Sequence, residues 1–311
     1  MRWFALLLLL VVSSSFAFSP PLTNIKVKVV DESGVPVSDA RVGATYYGAI
    51  DFDSDVEITD EEGVATVSGR SVYAVPFSVS KPGYYPGGKK VMPWEAVNGK
   101  EVFRDREVTI MLREKRNPIP LYAIKYSGEI PVAEKWIGFD LQKADWVSPY
   151  GNGVIGDFLF RYEGAFRNID DAYGELRVRF SNEDDGAKTI KYIYPDSLFK
   201  VPYEAPVLGY DIKEKLWKQG FGLKRAVKPS RIKKYFFRIR TTQDEDGNVG
   251  NALYGKMYGD VRFSLRSVRG GVSRVEFTYY LNSVENDRNL EFALGQSLFG
   301  DLGNDNQVRE P

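Results

Sequence analysis

Hydrophobic and polar residues alternate along much of this chain with a period of two, the repeat of a strand that buries one face. The segment "IKVKVV" sets Ile25, Val27 and Val29 against Lys26 and Lys28. "DESG" follows as a turn, and "ARVGATYY" opens a second strand. "VEI", "TDEEG" and "VATV" read as strand, turn and strand, while "VYAVPFSVSKPGYYP" and "REVTIMLRE" supply later strands. The same period returns at Leu176, Val178 and Phe180, at Tyr235, Phe237 and Ile239, at Val261, Phe263 and Leu265, and at Val275, Phe277 and Tyr279. Each of these predicts a half-buried antiparallel strand with a charged outer face. "DIKEKLW", near residue 211, is read as a short helix. The expected fold is all-β, with a small sandwich over residues 24–113 and a larger antiparallel β-sandwich over 131–305. Residues 114–130 are expected to link the two, because Pro118 and Pro120 favour an extended, stiff connector, and 306–311 to form a tail.

The first half carries a resemblance. The order "VKVVDESGVPVSDARV", "ITDEEGVATV", "FSVSKPGYYP" and "EVTIMLRE" resembles the carboxypeptidase regulatory-like domain, a β-sandwich of transthyretin-like or Ig-like topology. Gly34, Ala40, Thr59, Asp60, Gly63, Gly83 and Tyr84 stand where that family has its turn glycines, small residue, Thr-Asp turn and Gly-Tyr pair. The long "MPWEAVNGKEVFRD" segment before the last strand departs from the pattern. The resemblance implies fold and export but no activity, since such modules accompany enzymes, receptors and adhesins alike. The second half resembles secreted bacterial proteins of unassigned function through "FRIRT", "YGKMYGD" and "NDRNLEF".

The N-terminus narrows the compartment. Arg2, the apolar run Ala5 to Val12 and the small residues Ser15 and Ala17 predict a signal peptide over residues 1–17. The apolar run is too short to span a bilayer comfortably, so no integral membrane segment is expected after cleavage. The mature protein is expected to be exported, periplasmic or secreted. Cysteine and histidine are both absent. Disulfides, thiolate metal sites, Ser-His-Asp catalysis and His-ligated metals are thereby excluded, whereas a glycosidase working with two carboxyl groups is not. Acidic and basic residues balance over the whole chain, which gives no reason to expect a nucleic-acid partner.

Candidate chemistry is sparse. "DFDSDVEITDEEG" holds seven acids and no base over residues 51–62. Strand alternation would put Asp51, Asp53, Asp55 and Glu57 on an outer face and Phe52, Val56 and Ile58 on the other. An EF-hand reading fails because Val56 occupies the position that needs glycine. "TQDEDGNVGN" fits a hairpin turn better than a calcium loop. No metal and no cofactor is expected. Residues 213–240 carry eleven Lys and Arg against one acid, a face suited to an acidic polysaccharide, a lipid head group or plain solvent. Asp140 with Asp145, and Asp287 with Glu291, are possible carboxyl pairs for an enzyme.

Trp94, Trp136, Trp146 and Tyr150 lie among Gly and Pro, where loops could present rings to the apolar faces of sugars. They are the candidate ligand-binding residues. The function expected first is a non-catalytic binding or accessory protein of the bacterial envelope or extracellular space, with a polysaccharide or another envelope protein as partner. A carboxylate-dependent glycan-active enzyme and a structural or assembly subunit stay open.

Overall fold

The computed structural model describes residues 20–48, 51–168, 170–191, 193–220, 226–265 and 272–311. The expected signal segment lies outside them. The chain is all-β: twenty-two strands and no helix are found among the described residues. It divides into two compact units, 1–114 and 115–311.

The first unit contains β1 (Thr23–Val30), β2 (Arg41–Tyr47), β3 (Phe52–Ile58), β4 (Val64–Gly69), β5 (Val75–Ser80), β6 (Tyr84–Tyr85), β7 (Gly87–Val91), β8 (Trp94–Val97), β9 (Lys100–Phe103), β10 (Arg106–Met111) and β11 (Arg113–Glu114). One sheet has the order β10-β1-β4, with β1 parallel to β10, and the other is antiparallel in the order β3-β2-β5-β7. Alternate residues of both sheets meet in one aliphatic core around Ile25, Val27, Val42, Val67, Val79 and Ile110. The segment 92–105 makes its own hairpin, β8 against β9.

The "TDEEG" turn shows why those residue types stand there. The Thr59 hydroxyl accepts the Ala40 amide at 2.9 Å and donates to the Val37 carbonyl at 2.7 Å, so a buried side chain ties two segments together. Asp60 accepts the Val64 amide at 2.7 Å. Gly63 has φ of +73°, and a Cβ there would lie 2.6 Å from the Val29 carbonyl oxygen. Glycine alone meets both demands.

The second unit contains β12 (Ile119–Ile130), β13 (Ile137–Asp140), β14 (Asp145–Trp146), β15 (Phe158–Asn168), β16 (Asp171–Phe180), β17 (Gly186–Thr189), β18 (Glu214–Gly220), β19 (Lys234–Ile239), β20 (Leu253–Phe263), β21 (Ser273–Leu281) and β22 (Phe292–Ser297). A six-stranded sheet, β17-β19-β20-β21-β12-β22, packs on a five-stranded one, β14-β13-β15-β16-β18. Their shared core is aromatic, with Phe139, Trp146, Phe158, Phe160, Phe237, Phe277 and Tyr279 joined by edge-on, tilted and stacked ring contacts.

Several expectations change here. Residues 119–130 are not linker but β12, paired from Tyr122 to Ile130 with β21. The ladder to β22 is irregular between Ile119 and Leu121, where Pro120 has no amide to donate. The supposed helix near residue 211 is extended: Ile212 bridges Ala187, and β18 follows in an antiparallel ladder with β16. β19 is buried on both faces, so Lys234 and Arg238 are covered rather than solvated. The tail is bound in: the Tyr280 and Tyr258 hydroxyls donate to the carbonyls of Glu310 and Pro311 at 2.6 and 2.9 Å.

Candidate functional site

The four aromatic candidates meet different fates. Trp146 is a core residue whose indole donates to the Glu129 carbonyl at 2.9 Å and whose ring stands edge-on to Phe139 and Phe160. Its neighbours in sequence looked loop-like, but β14 pairs with β13 and turns the ring inward. Trp136 is half-buried beneath Arg179, whose guanidinium lies 4.3 Å from the ring centroid. Tyr150 is exposed in the loop after β14. Trp94 belongs to the other unit, half-buried at the start of β8, with its indole donating to the Val72 carbonyl at 3.1 Å. Trp146 is therefore closed to a ligand, and Trp94 stands in a different unit from the other three.

Trp94 instead marks a cluster that sequence reading missed. The antiparallel register sets Tyr47 directly opposite Phe52, so both rings leave the same face of the sheet. That face is the outer one, because Val42, Ala44 and Tyr46 take the inner positions of β2. Tyr73 joins them through buried Ser71. The Ser71 hydroxyl accepts the Tyr47 amide at 3.0 Å and the Tyr73 amide at 3.3 Å, and the carbonyls of Tyr73 and Tyr47 lie 3.0 and 3.1 Å away as acceptors. The Val72 amide also donates to the Tyr47 carbonyl at 3.3 Å. Phe52 is 75% exposed, Tyr73 61% and Tyr47 40%. Two uncovered rings, Tyr47 and Tyr73, thus stand on backbone held by one hydroxyl, Phe52 is placed by its register with Tyr47, and Val72 is anchored by the Trp94 indole. The signal available in sequence was the "TYY" at the end of β2 with Phe52 just across the turn.

The acidic run borders this cluster on β3. Its alternation is as expected, but its orientation is reversed. Asp53, Asp55 and Glu57 pair with Tyr46, Ala44 and Val42 and so share the inward side, while Phe52, Val56 and Ile58 face solvent. β3 is the last strand of its sheet, beyond the cover of the opposing layer, so inward carboxylates there still reach water. Asp53 accepts the Ser54 amide at 2.8 Å and Asp55 the Val56 amide at 2.9 Å. The second oxygen of Asp55 accepts the Ser68 amide of β4 at 2.8 Å, clasping the two sheets at their open margin. These carboxylates occupy backbone donors of an edge strand, one way to blunt edge-to-edge pairing. No group of three acidic side chains placed to hold a metal ion occurs among the described residues. Asp244 of the other candidate loop accepts the amides of Asp246 and Asn248 within a turn closed by the Gln243–Val249 bridge.

The carboxyl pairs are likewise engaged by backbone. Asp145 accepts the amides of Trp146 and Asn152, both at 2.8 Å. Asp287 accepts that of Asn289 at 3.0 Å, and Glu291 those of Arg116 and Asn117 at 2.9 and 2.6 Å. Asp140 joins a network centred on Arg240, which adopts φ of +53°. Arg240 donates to Asp157 at 2.8 and 3.0 Å and to Asp140 at 3.3 Å. Burial opposes charge on Asp140, but the amides of Val154, Ile155 and Gln142 together with Arg240 outweigh it and hold its carboxyl below the usual range. Burial wins at Asp157 and Asp185, pushing both up despite their donors.

A second buried network crosses the sandwich. Tyr235 of β19 donates to Asp260 at 2.6 Å, and Lys215 of β18 reaches both Asp260, at 3.1 Å, and the Tyr235 hydroxyl. Burial is the largest influence on Lys215 and lowers it. At Asp260, burial is outweighed by the Tyr235 hydroxyl, the Ser230 amide and Lys215, and the carboxyl is held below its usual range.

No family model matches the chain, and no curated protein does. Among solved structures, one described as a "putative carbohydrate binding protein" from Bacteroides uniformis is similar over 85% of this chain and 98% of its own, at 9% identity and a TM-score of 0.21. A DUF3823 family protein from the same species is similar over 83% and 96%, at 12% identity and a TM-score of 0.17. Likenesses this low carry no argument about what this chain does.

Proposed function

We propose that this is an exported, non-catalytic glycan-binding protein that reads sugar rings with Tyr47, Phe52 and Tyr73, beside Trp94. The observation that carries the reading is the exposure of three aromatic rings, two on backbone fixed around Ser71 and the third, Phe52, paired across the ladder with Tyr47. Exposed rings on braced backbone offer apolar faces for C–H stacking without a large ordering cost on binding. Phenolic hydroxyls at Tyr47 and Tyr73 add hydrogen-bonding capacity at the rim. Export to the periplasm or the extracellular space is the reading supported by the N-terminal charge and apolar pattern, and it puts the protein where polysaccharides are met.

The test is a glycan array or affinity electrophoresis on the purified mature chain. Saturable binding to a neutral polysaccharide is expected, weakened about tenfold in Phe52→Ala or Tyr73→Ala, a loss of about 1.4 kcal/mol. Wild-type affinity in both variants would overturn the assignment of the site. Silence across the panel would overturn the function.

A further inference from the structure

The second unit holds a cleft that the aromatic cluster does not explain. Its cavity of about 320 Å³ is lined by Lys228, Arg231, Arg262 and Arg274, with Glu276 as the one acid among the described lining residues. The register pairs Arg262 of β20 with Glu276 of β21, and Arg274 lies two residues before Glu276 on the same face. Glu276 bonds Arg262 at 2.6 Å and stands 3.8 Å from Arg274, whose Nε donates to Ser127 at 2.8 Å. Among the described lining residues one carboxylate, engaged by Arg262 and Arg274, is therefore outnumbered by four cations. Converging like charges cost free energy unless an anion joins them.

Lys228 and Arg231 come from the strap 226–233, and the strap is fixed at both ends. Val227 and Lys218 exchange two backbone bonds at 3.0 Å. Further along, the Ser230 amide donates to Asp260 at 2.8 Å, and the Asp260 amide returns a bond to the Ser230 carbonyl at 2.7 Å. Asp260 is the carboxylate of the buried network with Lys215 and Tyr235, so that network doubles as the anchor of the strap. The cations are thus carried by elements positioned before any ligand arrives. The run of basic residues in the sequence supplies only half of the site; β20 and β21 bring the other half from more than thirty residues away.

We propose that this cleft binds an oxyanion group, sulfate or carboxylate, of an acidic polysaccharide. Guanidinium forks match the planar or tetrahedral oxygens of such groups and hold them with paired charge-assisted bonds. The size of the cavity suits one charged sugar unit rather than a long segment. The proposal rests on the glycan reading only for the class of ligand, and its residues lie in a different unit from the aromatic cluster.

Dextran, carboxymethyl dextran and dextran sulfate share one backbone and differ in charge, so affinity electrophoresis on the three separates this cleft from the aromatic surface. The full mature chain is expected to be retarded by one or both charged polymers, and less as salt rises. Lys228→Ser combined with Arg231→Ser, on the exposed strap, should weaken that retardation about tenfold, because two of the four cations are lost. Phe52→Ala should leave it unchanged, and Lys90→Ser combined with Lys100→Ser, which also removes two exposed cations, serves as a charge-matched control in the other unit. Equal retardation of the strap variant and the control would overturn the proposal. So would no retardation by either charged polymer. A preference for phosphatidylglycerol vesicles over both polymers would assign the cleft to a membrane surface instead and equally overturn it.

Discussion

The two units solve the same problem with different materials. The first packs a mainly aliphatic core of Val, Ile and Ala between its sheets and buries one cation, Arg113, paired with Glu32 at 3.0 Å. The second packs Phe, Tyr and Trp, and buries charged groups along with them: Asp140, Asp157 and Arg240 at one place, Lys215, Tyr235 and Asp260 at another. Aliphatic side chains fill a thin sandwich in good rotamers without polar atoms to satisfy. Tyr and Trp bring a hydroxyl or an indole N–H that must be bonded when buried, so a core built with them draws polar partners inward. In the first unit acids cap an edge; in the second they brace an interior.

The contrast can be broken most forcefully at Trp146. Replacing it with Ala removes a ring that touches Phe139 and Phe160 and deletes the indole bond to the Glu129 carbonyl, at a cost of about 3–5 kcal/mol. Hydrogen exchange should rise across β13–β16, while the first unit and its neutral-glycan binding stay unchanged. Loss of that glycan binding in a folded first unit would contradict the placement of the site away from Trp146.

The corresponding break in the first unit is Thr59→Ala. It leaves the buried Ala40 amide and Val37 carbonyl without their partner, at about 1–3 kcal/mol. Urea unfolding should show a lower midpoint for this unit alone. Thr59→Ser keeps the hydroxyl and should recover most of the loss.

Acid sharpens the comparison further. Asp260 and Asp140 are held below the usual carboxylate range, so their stabilisation is complete above that range. It is lost as pH falls through their own lowered values. Asp157 and Asp185 are pushed up by burial and act in the opposite sense, since protonation relieves their cost. The melting temperature of the second unit is expected to fall as pH drops below about 4. Asp260→Asn should flatten that fall; an unchanged slope would show that Asp260 does not govern it.

The smallest effect on stability is expected where the effect on binding is largest. Phe52→Ala and Tyr73→Ala remove exposed rings and should change unfolding free energy by no more than about 0.5 kcal/mol. Calorimetry alongside affinity electrophoresis checks both halves of that statement. A large loss of stability would turn the cluster from a binding surface into a structural one.

Much of the fold was legible because the alternation of apolar and polar residues is a local property. Ile25, Val27 and Val29 could be assigned to one face without knowing what covers it, and Gly63 announced a turn by its own stereochemistry. β19 was misread for the same reason. Tyr235, Phe237 and Ile239 gave its inner face correctly, but burial of Lys234 and Arg238 on the other face depends on chain from elsewhere. Pro118 and Pro120 suggested a connector, yet the residues after them had the partners to become the longest strand of the sheet. Among the candidate aromatics, being surrounded by Gly and Pro did not distinguish Trp146, which is buried, from Tyr150, which is exposed.

The sequence by itself determined an all-β chain, the parity of most strands, the "TDEEG" turn and the absence of any thiol or imidazole chemistry. Tertiary structure alone decided which faces are covered. It turned the carboxylates of β3 inward at an uncovered margin, left Phe52 in solvent beside Tyr47 and Tyr73, and brought Arg262 and Arg274 to Lys228 and Arg231. The physical reason is that side-chain direction follows from neighbours along the backbone, whereas burial follows from a second layer contributed by residues far away in the chain.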